Sequence, residues 1–207
     1  MNYERWVLLM KNLGFGKNQD TYDALVKAYS EPHRYYHNKS HIGSVLAYLD
    51  SFSALAGSKS EIELALWFHD AIYKTFSSSN EADSADWACK FLVKNHARIE
   101  TQKTVHGLIM ATYHSHTPSS NDEMFITDID LAVLGSAEES YSRFSAAVRQ
   151  EYKSVPDFIY KRKRRAVLQG FLDRDRIYSH DLFHNEFEVR ARVNLCREMN
   201  QLSGVGA

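Results

Sequence analysis

The stretch Glu61-Ile-Glu-Leu-Ala-Leu-Trp-Phe-His-Asp-Ala-Ile-Tyr73 reads as a helix, capped by Ser60, that stays apolar until it meets His69 and Asp70. An imidazole and a carboxylate at the end of so apolar a run are unfavourable to bury unless something pairs with them. A divalent metal is an economical partner, because neutral imidazole and carboxylate are both good ligands for first-row cations. The same stretch sets the fold class, since its apolar residues recur without the alternation of a strand.

Helical spacing continues in both directions. Trp6, Leu9, Met10 and Leu13 mark a first helix that stops at Gly14 and Gly16, and Tyr22, Leu25, Val26 and Tyr29 mark a second that ends at Ser30-Glu-Pro32. A third is expected from an N-cap at Ser40 through Ile42, Val45, Leu46, Leu49 and Phe52. Beyond the quoted stretch, helices are expected over Glu81 to about Asn95, Glu100 to Tyr113, Ile129 to Leu134, Ala137 to Tyr152, Asp157 to Phe171 and Asn185 to Leu202. Only three prolines and nine glycines interrupt the chain. The expectation is an all-α, multi-helix bundle forming one domain over 1–207. Its metal core spans about 33–135, and the C-terminal helices over about 137–202 pack on that core.

Composition narrows the functional classes. A formal net charge of -1 over 207 residues supplies no field to recruit nucleic acid or an anionic membrane. No apolar run approaches the roughly 18 residues of a membrane span. Met1-Asn-Tyr-Glu-Arg-Trp6 does not read as a signal peptide, and Cys89 and Cys196 are two distant thiols, so a cytoplasmic protein is expected. The Lys161-Arg-Lys-Arg-Arg165 run spreads around most of a helix and reads as a solvated face. A homodimer stays open.

The ten histidines are the compositional outlier. His41 begins the third helix and His69-Asp70 closes the fourth, so an antiparallel pair would bring both histidines to one ion. Consecutive residues on a helix point about 100° apart, so Asp70 helps only if the ion lies between helices. Phe125-Ile-Thr-Asp-Ile-Asp-Leu-Ala-Val-Leu-Gly135 then offers Asp128 and Asp130 as a further carboxylate ligand.

His41, His69-Asp70 and Asp130 resemble the H…HD…D ligand set of the HD superfamily of metal-dependent phosphohydrolases. Arg34-Tyr-Tyr-His-Asn-Lys-Ser-His-Ile42, Ala65-Leu-Trp-Phe-His-Asp70, Asn80-Glu81 and Asp128-Ile-Asp-Leu-Ala-Val-Leu-Gly135 are similar to a bacterial subgroup of HD-domain proteins, and the similarity reaches Glu188-Val-Arg-Ala-Arg-Val-Asn-Leu195. The resemblance implies His41, His69, Asp70 and Asp130 as metal ligands, with Asp128 an outer partner or a helix cap. It implies hydrolysis of a phosphate ester on a nucleotide-like small molecule, with metal-bound hydroxide as nucleophile. Glu81 or Asp70 would steer protons, and Arg34, His37 and Lys74 would contact the substrate phosphate. Two imidazoles with carboxylates suit Mn, Fe, Co, Ni or Zn. His114 would either hold a second ion or face a helix C-terminus. As a ligand it would favour an oxygen-activating di-iron enzyme. A non-catalytic nucleotide sensor is the third reading.

Overall fold

Backbone groups that a helix leaves unpaired at its ends decide where each helix starts and stops. In the computed structural model, which describes residues 1–114 and 118–204, Asn38 caps the third helix. Its side chain accepts from the Ser40 amide at 2.8 Å, two residues before the expected cap. The described residues form ten α-helices and no strand: α1 Tyr3–Asn12, α2 Gln19–Ala28, α3 Lys39–Ser51, α4 Lys59–Phe68, α5 Asn80–Lys94, α6 Ile99–Ala111, α7 Asn121–Leu131, α8 Glu138–Glu151, α9 Asp157–Leu172 and α10 Asp181–Ser203. Short 3-10 turns follow α3 at Ser53–Leu55 and α7 at Ala132–Gly135. The all-α expectation therefore holds, and no helix among the described residues is long and apolar enough to cross a membrane.

The chain divides into two compact units, Met1–Ile129 and Asp130–Ala207, with the boundary inside α7. In the first unit α4 is the hub, with α1, α3, α5 and α6 against it. Ile62 and every residue from Leu64 to Phe68 are fully buried, as befits a helix apolar on all sides. Aromatic rings do much of the packing. Trp67 meets Trp6 edge-on at 5.4 Å, and Phe68 lies 5.5 Å from Phe91 and 5.7 Å from Trp87. Glu63, the buried acid of α4, accepts from Arg5 Nε at 2.7 Å.

Two helix boundaries differ from the sequence reading, and both bear on the site. Helix α4 stops at Phe68, five residues short of Tyr73, so His69 and Asp70 lie on the turn that follows it. Helix α7 begins at Asn121, well before Ile129, with Asp122 and Glu123 in its first turn. The Asp122 carboxylate accepts from the amides of Gly57 and Ser58 at 2.7 and 2.9 Å, capping the start of α4 from a distant segment. Asp128 and Asp130 are consequently in the last turns of a helix rather than at its start.

In the second unit α10 packs on the 3-10 turn, α8 and α9. Asn194 donates to the carbonyls of Leu134 and Ser136, and Arg190 to that of Gly135, fastening α10 to the turn. The basic run on α9 is solvated with one exception: Arg164 turns inward and pairs with buried Glu198 at 2.9 and 3.1 Å.

Candidate metal centre

The end of α4 leaves carbonyls that no further turn of helix will pair. The Leu66 carbonyl accepts from His69 Nδ1 at 2.9 Å, and the Trp67 carbonyl from the Tyr29 hydroxyl at 3.1 Å. A carbonyl can only accept, so Nδ1 of His69 carries a proton on that side and Nε2 is the ring nitrogen turned toward the cluster. A metal-binding imidazole is commonly oriented by an outer hydrogen bond of this kind.

That Nε2 lies 3.0 Å from Nε2 of His41, which comes from the first turn of α3. Asp70 Oδ2 stands 3.1 Å from the first nitrogen and 3.4 Å from the second. Because the helix has ended, two consecutive residues converge instead of diverging by 100°. Both rings are buried, and the Asp70 side chain is 16 % exposed. Burial by itself would raise the Asp70 carboxyl. The His69 and His37 imidazoles, with hydrogen bonds from His41 and His69, outweigh it and hold the group well below the ordinary carboxylate range.

Asp130 completes the cluster. His41, His69 and Asp130 each offer one ligand atom, and these atoms all lie within 4.8 Å of one another, the one such grouping among the described residues. Metal–ligand bonds of about 2.0–2.1 Å put neighbouring ligand atoms about 3.0 Å apart at right angles and about 3.4 Å apart in a tetrahedron. The three separations among His41, His69 and Asp70 fall within that range, so the donor set fits a first-row divalent ion in chemistry and spacing. Asp128, two residues before Asp130, is fully buried and outside the cluster, as a separation of about 200° around the helix requires.

The other candidates divide by position. His37 stacks on Tyr73 at 4.2 Å and meets the His41 ring edge-on at 6.2 Å, which places it beside the cluster. Glu81 is half-buried in the first turn of α5. Lys74 is an exposed ammonium 3.8 Å from Asp83. His114 follows α6 with a left-handed backbone (φ 57°) and is not one of the cluster residues. His116 lies outside the described residues.

Arg34 is placed differently from its expected phosphate contact. Its side chain is 1 % exposed, its nitrogens donate to Glu31 and to three main-chain carbonyls, and it sits against the rings of Tyr29 and Tyr73. The Tyr36 ring, 4.8 Å from that of His41, is a further site neighbour that the sequence reading passed over. The doubled tyrosine between Arg34 and His37 was its only signal. No protein-family model, curated protein or solved structure matches the chain.

Proposed function

We propose that this chain is a metal-dependent phosphohydrolase of the HD type, acting on the phosphate ester of a nucleotide-like small molecule. One observation carries the reading. Two buried imidazoles and a carboxylate from three separate segments, His41, His69 and Asp130, present ligand atoms to one point, with Asp70 beside both imidazoles. Such a mixed nitrogen and oxygen set suits Mn, Fe, Co, Ni or Zn better than Mg or Ca, which favour oxygen shells. An ion held by these residues would lower the pKa of a bound water and polarise a phosphoryl oxygen.

The chain's own groups take the remaining roles. Asp70, whose carboxylate lies beside both imidazoles, is the first candidate for steering protons at the reacting centre. Glu81, in the first turn of α5, is the second candidate for handling protons. The exposed ammonium of Lys74 and the His37 ring stacked on Tyr73 are assigned to the substrate. Arg34 is omitted from that group because its guanidinium is buried and occupied.

The test uses full-length protein purified without chelator and loaded in turn with Mn, Fe, Co, Ni or Zn. It is screened against nucleoside phosphates and simple phosphate mono- and diesters. Phosphate or nucleoside release is expected for one substrate class, lost on chelation and in His69→Ala. No turnover with any metal, or turnover that survives His69→Ala, overturns the reading.

A further inference from the structure

The two ligand-bearing segments meet through a residue that is not itself a ligand. After α4 ends, the Ala65 carbonyl accepts from the His69 amide, the Leu66 carbonyl from the His69 ring, the Trp67 carbonyl from Tyr29 and the Phe68 carbonyl from the Ala71 amide. The carbonyls of Asp70 and Ala71 then accept from Arg34, at 2.6 and 2.9 Å. The same guanidinium donates to the His37 carbonyl at 3.2 Å, in the loop that leads into His41, and to Glu31 at 2.9 Å. Four of its five N–H groups are thereby used. The rings of Tyr29 and Tyr73 lie 5.3 and 5.5 Å from its central carbon and hold its plane. Its charge also sits at the C-terminal end of α4, where the helix dipole favours a cation.

The geometry points to Arg34 as the positioning residue of the metal centre. By tying the carbonyls of His37, Asp70 and Ala71 together, it sets the approach of the His41 and His69 rings and turns the Asp70 carboxylate toward both. This inference rests on the metal-centre reading above. It assigns Arg34 no contact with substrate or metal. Its effect passes through the backbone of the residue that carries the Asp70 carboxylate, as outer partners of metal ligands commonly act. Lysine cannot replace it, because an ammonium lacks the planar fork that reaches three carbonyls and a carboxylate at once.

Cobalt(II) binding to the full-length protein tests this without any need for turnover, through its affinity and its visible absorption spectrum. Arg34→Lys is expected to fold, to bind cobalt about 10- to 100-fold more weakly and to show an altered spectrum. Arg34→Ala is expected to lose more affinity. Methylguanidinium, entering between the two tyrosine rings, should then restore part of the wild-type spectrum. Leu9→Ala, a core truncation in α1, supplies the reference for a stability loss alone and should leave the spectrum unchanged. Cobalt affinity within twofold of wild type in Arg34→Lys, with the same spectrum, overturns the inference. So does an Arg34→Lys protein that no longer folds, since Arg34 would then serve the fold and not the site. Wild-type protein that takes up no cobalt overturns the metal reading itself, a separate result.

Discussion

The Nε2 atoms of His41 and His69 stand 3.0 Å apart, one at the start of α3 and the other just past the end of α4. Two imidazole nitrogens at that distance are a stable arrangement only with a proton or a cation between them. Metal binding should therefore stabilise the fold measurably. At a free ion concentration 100-fold above the dissociation constant the gain is about 2.7 kcal/mol. For a chain of this size it raises the unfolding midpoint by roughly 5–10 °C. Thermal unfolding with and without Zn or Co should show that rise in wild type and none in His41→Ala or His69→Ala. An equal rise in either variant would place the ion elsewhere.

Asp128 and Asp130 should separate cleanly when each is made asparagine. Asp130 belongs to the ligand cluster and is partly exposed, whereas Asp128 is fully buried and outside it. Asp130→Asn is expected to weaken metal binding by tenfold or more while the metal-free protein melts near wild type. Asp128→Asn is expected to cost about 1–3 kcal/mol of stability, the penalty for disturbing a buried polar group, with a smaller effect on the metal. Calorimetric metal titration alongside thermal unfolding reads both, and a reversed pattern would exchange the two roles.

Apolar periodicity made the helices legible, because each helix buries a stripe or, in α4, its whole surface. What periodicity does not carry is the point at which a helix stops. Ala71, Ile72 and Tyr73 continue the pattern of α4, yet the backbone leaves the helix at His69, where side chains take the carbonyls: the His69 ring that of Leu66, Tyr29 that of Trp67, and Arg34, far away in sequence, those of Asp70 and Ala71. The start of α7 was similarly hidden: Asp122 caps α4 across 64 and 65 residues, and no local signal names that partner. His41, His69 and Asp130, whose ligand atoms the fold brings together, were legible as possible ligand types at helix ends. The role of Arg34 was not, since a lone arginine beside a motif reads equally as a phosphate contact.

Gly135 should tolerate no side chain. A Cβ there would meet Phe187 Cβ at 2.5 Å, its carbonyl oxygen at 2.6 Å and its Cα at 2.9 Å. Most of that obstruction is backbone of α10, which cannot swing aside as a side-chain tip can. Gly135→Ala is therefore expected to push α10 off the 3-10 turn and to weaken the Arg190 and Asn194 bonds to it. Overpacking of this kind costs about 1–3 kcal/mol. Urea unfolding measures it, and a variant as stable as wild type would contradict the contact.

Glu198 on α10 should make the protein acid-sensitive through a group remote in sequence from the candidate metal ligands His41 and His69. Burial alone would raise its carboxyl. Hydrogen bonds and charge from Arg164, with further bonds from Tyr141 and Ser145, reverse this and lower it from its ordinary 4.5. A carboxyl lowered in the folded state binds fewer protons there than in the unfolded chain. Its contribution is therefore complete above about pH 4.5 and is lost as pH falls through the lowered folded value. Glu198→Gln strands the buried Arg164 charge and should cost about 3–5 kcal/mol at neutral pH. Its stability should also fall less steeply than wild type as the pH drops below about 4.5, where wild type begins to lose the pair. Urea unfolding at stepped pH compares the two slopes. Parallel curves would mean that Glu198 is not what titrates. The double variant Glu198→Gln with Arg164→Met, which removes the stranded charge, should recover part of the neutral-pH loss.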